Sequence, residues 1–469
     1  MRNIILFELN EVPFKVIDYY CKKFPYSTLA KILPLSNQYV TKSHDHGHLH
    51  PWSTWPTVHR GVSNEVHHIK DIGEDLSEID RQYPPVWDIL VRNNISAGVF
   101  SSLQTYPLPK NVEKFKFYFP DPFAAGYECH PASLSPFQKF SLDMSRKSMR
   151  NVGKGFDYKA TLGLAVKLPK MGLRPQTVKQ VIGQLADERL QPWKSNRRRT
   201  FQSILAFDIF INQLKSAKPQ FATFFTNHAA SAMHRYWAAT FPDEYVVNNL
   251  SDEWINRYSG EIDFVMNKFD NFLKKIVKFV DANSDYKLIV ASSMGQKATK
   301  AEIISRELIS YDFDKFLNKI GVKKSNYQLL PAMQPQYNIR VAEGYEQEFV
   351  ENLSKVLIKD KKLDYRQKNG IFFSVDLGHI DLSDSDITLN NQIISPDDLG
   401  LKNEKVDEEA SGTAYHTSEG SMFVYDPRNT NSVSERINNV DTRLIAPSIL
   451  ANFGIEIPVY MKKESIPAI

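Results

Sequence analysis

Cysteine is nearly missing from this chain of 469 residues. Cys21 and Cys129 are the only two, and their spacing suggests no disulfide framework, so a reduced compartment is the simpler reading. Also missing is any apolar run near the roughly 20 residues that a membrane-spanning helix needs. The N-terminal apolar run ends by Glu8 after a single basic residue, which is too short for an export signal. Charge of one sign is not in excess: a formal net charge of +4 makes no case for a nucleic-acid or membrane partner. There is no internal repeat and no low-complexity tract. Hydrophobic residues at 42% and charged residues at 24% are ordinary globular usage, which argues against extended disorder.

What is present alternates between strand-like and helix-like runs. Residues 3–9 are apolar with β-branched and aromatic members, suited to a buried parallel strand. A helix opening follows at Val12-Pro13-Phe14, with proline near its start. Residues 85–91 and 96–100 read as helix then strand, and 220–226 as a further core strand. Residues 252–280 read as one long amphipathic helix, and 300–322 as helical. From 131 to 215 the pattern is mainly helical, an expected cap inserted over the sheet edge. Residues 326–410 mix short strands such as 371–375 with a helix near 345–357, an expected smaller α+β lobe. The acidic stretch 403–410 reads as a linker back to the main sheet. An α/β core would then comprise 1–130, 216–325 and 411–469.

One stretch stands out for chemistry: Pro51-Trp52-Ser53-Thr54-Trp55-Pro56-Thr57-Val58-His59-Arg60-Gly61. Pro56 suits a first helical turn, and Thr54 just ahead of it would lie where free N–H groups attract an anion. Thr54 is either a plain N-cap or a nucleophile for phosphorus or sulfur. Glu8, Asn10 and Glu11 stand where a parallel strand ends before a helix, the place where open α/β sheets collect ligands. His44, His46, His48 and His50 alternate and would share one face if extended, as a transition-metal site or an anion contact. Lys194, Arg197, Arg198 and Arg199 form a basic run, either a solvated face or a contact to a phosphate-bearing or acidic-glycan substrate.

The Thr54 stretch, with Gly61, His67, His68 and Ile69 after it, resembles the nucleophile loop of the alkaline-phosphatase superfamily, in its phosphodiesterase and nucleotide-pyrophosphatase branch. Four further phrases agree in order: Asn3 to Glu8; Phe224-Phe225-Thr226-Asn227-His228 through His234-Arg235-Tyr236-Trp237; Leu288 to Gln296; and Tyr415-His416 with Glu419-Gly420, then Ile445 to Leu450, Pro458 and Met461. The resemblance implies a three-layer α/β sandwich with a mainly parallel central sheet. It also implies two metal ions, usually zinc, that flank the transferred group. Members are often exported, so the missing signal points to a cytoplasmic one.

Carried over by position, Glu8 is the first metal-binding acid, Thr54 the nucleophile, and His234 and His416 are metal ligands. Three positions depart. Ala230 stands where an Asp should precede His234 by four residues, and Ser293 and Met294 stand where Asp and His should follow Ser292. Alanine ligates nothing and a thioether is a poor ligand for zinc, manganese or magnesium. At most one divalent ion is expected, on His234 and His416 with His228, Asn227 or Glu8 in support, or none.

Three functions remain open. The first is hydrolysis or transfer of a phosphoryl or sulfuryl ester, Thr54 attacking and His59, His234 or His416 acting as base and acid. The second is another group transfer, such as glycan or glycolipid modification, with Glu8 or Glu11 as base. The third is non-catalytic binding of an anion. Asn227, Ser293, Gln296 and Arg60, inside the same phrases, are the expected contacts to a small-molecule or glycan substrate with an anionic group.

Overall fold

Ile5, Phe7 and Leu9 of the first strand, Asn3–Leu9, pack into one hydrophobic core, while Ile4 and Leu6 pack into another on the opposite face. A strand apolar on both faces must be covered on both, and this one is the centre of an eight-stranded sheet. Across the sheet the order is Arg436–Asp441, Ser36–Lys42, Glu419–Tyr425, Tyr286–Ala291, Asn3–Leu9, Phe221–Thr226, Ala97–Phe100 and Phe117–Phe119. Both neighbours of the first strand run parallel to it. Glu419–Tyr425 alone runs against both of its neighbours. The fold is mixed α/β with a mainly parallel central sheet and several small antiparallel sheets.

Helices Phe14–Lys23, Arg198–Ala217, His228–Thr240 and Glu261–Ala282 cover one face, and Pro51–Arg60, Val86–Arg92 and Ile445–Asn452 cover the other. This computed structural model describes residues 1–146, 168–245, 250–300, 306–383, 385–405, 412–429, 431 and 435–469. Within the expected cap, Ser135–Arg146, Pro175–Leu190 and Arg198–Ala217 are helical, and 147–167 lies outside the described residues. Among the described residues, no helix is long and apolar enough to cross a membrane. Cys21 and Cys129 carry free thiols.

A third apolar cluster, from Leu308 to Leu401, has its own antiparallel sheets and the helices Phe313–Lys319 and Glu346–Leu353. Several local expectations differ here. Arg306–Ser310 is a strand rather than helix, because Leu401–Lys405 pairs with it, about ninety residues away and invisible to a local pattern. Residues 401–405 are therefore strand rather than linker, and 406–411 lies outside the described residues. The long helix expected over 252–280 is two, Asp252–Tyr258 and Glu261–Ala282, broken where Gly260 sits as N-cap.

The central parallel strands Asn3–Leu9, Phe221–Thr226 and Tyr286–Ala291 end side by side. Their carboxyl ends deliver Asn10-Glu11, Asn227 and Ser292-Ser293 to one sheet edge.

Candidate functional site

Just past the first strand the chain turns sharply at Glu11, whose φ of 62° lies in the left-handed region. A side chain there costs of order 1 kcal/mol or more, a strain that folds tend to retain at working positions. Two further elements converge on its carboxylate. On helix His228–Thr240, Asn227, Ser231, His234 and Arg235 follow helical spacing and line one cleft. On a small ribbon, Gly295–Ala298 pairs with Ala414–Thr417 and sets Gln296 directly opposite His416.

Glu11 Oε2 lies 2.9 Å from His234 Nε2 and 3.3 Å from His416 Nε2. Gln296 Nε2 donates to the same oxygen at 2.5 Å and to the Ala230 carbonyl at 3.1 Å. Asn10 Nδ2 donates to Glu11 Oε1 at 2.7 Å and to Asn227 Oδ1 at 2.7 Å, and Trp55 Nε1 donates to Asn10 Oδ1 at 2.8 Å. The carboxylate is thus held from both oxygens, and the indole of the Thr54 helix orients it through Asn10.

Burial opposes charge on Glu11, yet the neighbouring His416 and His234 hold its carboxyl well below the ordinary range. Burial likewise disfavours the His416 cation, and the Glu11 charge outweighs it, so its pKa is raised. His50, whose ring centroid is 5.5 Å from that of His416, is pushed down to about 4 by burial and the His416 charge. His50 stays neutral where His416 is charged.

Glu11, His234 and His416 offer ligand atoms that all lie within 4.8 Å of one another. One carboxylate and two imidazoles suit zinc, manganese or iron and leave room for further ligands. His234 Nδ1–H donates to the Ala414 carbonyl at 2.8 Å, which leaves Nε2 as the ligating atom. The Leu49 carbonyl also favours the His416 cation, but buried His416 Nδ1 makes no hydrogen bond of acceptable geometry. The residues present therefore fit one divalent ion.

Other expected site residues are placed elsewhere. His228 does not join the ligand set: Nδ1 meets Thr226 Oγ1 at 2.7 Å and Nε2 meets the Val265 carbonyl at 3.2 Å. Glu8 points with Ile4 and Leu6 to the face covered by helix Pro51–Arg60, fully buried, where Oε1 meets His59 Nε2 at 2.9 Å, and does not line the cleft. The period of two along the strand puts Glu8 on the Ile4 and Leu6 face, where helix Pro51–Arg60 covers it with His59. Arg60 is committed to the Tyr83 carbonyl at 2.6 Å and Asp80 at 2.7 Å, and does not line the cleft.

Thr54 is not ahead of its helix. The helix begins at Pro51 with His50 as N-cap, so Thr54 N–H already bonds the His50 carbonyl. Its fully buried hydroxyl meets that carbonyl at 3.1 Å and Ser293 Oγ at 2.8 Å. Pro51 took the N1 place that sequence reasoning gave to Pro56. Residues 43–50 are coil with bends rather than strand, so the histidines share no face. His46 pairs with Glu65 at 3.2 Å on the surface, and His50 alone of that run lines the cleft.

The cleft holds about 350 Å³, walled by Glu11, His234 and His416 on one side and by Asp71, Gln336 and Asp376 on the other. Sequence reasoning missed the second wall, which belongs to the antiparallel sheet of Gln336–Val341 and Phe372–Asp376 and to the loop that Arg366 grips through Asp71 at 2.6 Å. No local signal marks it. Trp52, Phe123 and the half-exposed Tyr415 supply aromatic surface.

No protein-family profile matches the chain, and no curated protein does. Among solved structures, an inactive variant of murine ectonucleotide pyrophosphatase/phosphodiesterase 5 in complex with AMP is similar at 11% identity and a TM-score of 0.43. The match covers 98% of this chain and 96% of that one. The same murine protein without that description matches at 11% identity and 0.42, over 97% and 96%. The human protein matches at 10% identity and 0.41, also over 97% and 96%. The chemistry of this chain has therefore to be read from its own residues.

Proposed function

We propose that this protein is a hydrolase or transferase of phosphate or sulfate esters, on an alkaline-phosphatase-like scaffold reduced to one metal position. The observation that carries the reading is the convergence of Glu11, His234 and His416 on one point at the carboxyl edge of the parallel sheet. A divalent ion held there supplies Lewis-acid stabilisation of charge on a phosphoryl or sulfuryl oxygen.

The chain's own contribution is anion binding. Helix His228–Thr240 opens at Asn227 on the cleft floor, and its first N–H groups and dipole favour a negative group there. Asn10 and Gln296 keep the Glu11 carboxylate in place as charge builds nearby. Thr54, sealed between His50 and Ser293, supports the wall from behind, so we assign the attack to a substrate hydroxyl or to water. Trp52 and Tyr415 give a flat surface for a sugar or base linked to the ester.

Divalent-ion titration by calorimetry, followed by turnover of aryl phosphate, phosphodiester and sulfate esters, tests this. We expect one ion per chain, lost in His234→Ala together with turnover of at least one ester class. Full turnover in chelator-treated protein and in His234→Ala would end the reading.

A further inference from the structure

The cleft has a second arm of about 130 Å³, between helices Ser135–Arg146 and Arg198–Ala217. Phe123, Phe225, Asn227, Ser231 and Met333 line both arms, so the two adjoin. A water needs roughly 10–15 Å³ on this measure, so the arm admits a polyatomic group.

The basic run at the start of the second helix bears on what that group is. Lys194 faces Asp187 at 3.7 Å, Arg197 pairs with Glu261 at 2.5 Å, and Arg198 pairs with Glu188 at 2.7 Å. Arg199 is the member that lines the arm, and its buried Nη1 has no hydrogen-bond partner. A buried guanidinium N–H without an acceptor is costly, and among the described residues no carboxylate lines the arm to provide one. Ser203 follows one turn later on the same helix face. Gln202 Nε2 donates to Ser141 Oγ at 2.9 Å, which leaves the Ser141 proton able to donate. Among the described residues, the arm thus carries a cationic donor and hydroxyl donors with no carboxylate to balance them.

We propose that this arm is a subsite for a second oxyanion, a phosphate or carboxylate on the part of the substrate that does not react, held by Arg199 with Ser141 and Ser203. The substrate class is then an ester carrying two separated anionic groups. The inference rests on the reading of the Glu11 cleft as the reaction site, but its test can be separated from that reading.

Inorganic phosphate is titrated by calorimetry into the full chain after chelation of divalent ions. We expect saturable binding that Arg199→Gln weakens about tenfold or more, as loss of a charge-assisted hydrogen bond implies. Arg199→Lys should weaken it less, and His234→Ala should leave it within about twofold. Should Arg199→Gln fail to fold, Arg199→Lys and Ser203→Trp decide, the latter by filling the arm. No phosphate binding to the metal-free chain, or binding indifferent to residue 199, overturns the subsite. Phosphate binding that depends on Arg199 in a chain that takes up no divalent ion keeps the subsite and refutes the metal site.

Discussion

His59 Nε2 and Glu8 Oε1 lie 2.9 Å apart inside the helical layer below the sheet, with the His59 ring against Trp55 and Trp87. The pair is buried, and neither residue lines the cleft. His59→Ala leaves a buried carboxylate without its partner and is expected to destabilise by about 3–5 kcal/mol. A Glu8→Leu, His59→Leu double variant should recover most of that in urea unfolding. Loss of ion binding without loss of stability in His59→Ala would show that the pair belongs to the site instead.

Gln296 touches Glu11 but is not itself an ion ligand in the set. Gln296→Leu is expected to weaken divalent-ion binding by about 10–100-fold while the stoichiometry stays the same. Calorimetry reads both quantities, and an unchanged affinity would remove Gln296 from any positioning role.

Ion binding should depend on pH with a definite sign. Glu11 is ionised throughout the neutral range, and His416, raised above its ordinary 6.5, holds a proton that an ion must displace. Affinity should therefore rise with pH through the raised His416 value, with release of a proton on binding. In the metal-free chain, the raised imidazole stabilises the fold fully below its ordinary 6.5, and that contribution is lost as pH rises through its folded pKa. The lowered carboxyl stabilises above the ordinary 4.5 and loses its contribution as pH falls toward its folded value. Calorimetry in two buffers of different ionisation heat checks the proton release.

Gly295 begins the ribbon that carries Gln296, and a Cβ there would meet the Glu419 carbonyl oxygen at 2.2 Å. Gly295→Ala should displace the ribbon, costing about 1–3 kcal/mol, and weaken ion binding with it. Gly183, inside helix Pro175–Leu190, has nothing within 4 Å of an added Cβ. Gly183→Ala should instead stabilise by about 0.5–1 kcal/mol. Thermal melts of the two variants should move in opposite directions.

Burial pushes the imidazole of His228 down to about 4, against an ordinary 6.5. The unfolded chain takes up a proton there below 6.5 and the folded chain does not, so stability should fall as pH drops from 6.5 toward 4. The contribution is about 3 kcal/mol at most. His228→Gln should flatten this part of the profile in urea unfolding at stepped pH, and an unchanged slope would contradict the assignment.

Much of this was legible in the chain. An apolar strand that ends in Asn10-Glu11, another that ends in Asn227, and His234 two turns further on all read as sheet edge, and the structure brings them together. The partner of Glu8 was not legible, because a local run shows that an acid stands at a strand end, not that His59, 51 residues on, meets it. Thr54 was misread because two prolines, Pro51 and Pro56, both suit a helix start, and packing of nine buried residues chose the first.

By itself, the sequence determined the layers: hydrophobic period and proline and glycine punctuation are local, and they specify strands, helices and their order. The tertiary structure alone decided the ligand set. His416 reaches Glu11 through a ribbon pairing across more than a hundred residues, and among the described residues Arg199 lines the second arm with Nη1 unpaired while Arg197 and Arg198 meet Glu261 and Glu188. Such pairings depend on distance in space, which the chemistry of neighbouring residues along a chain does not encode.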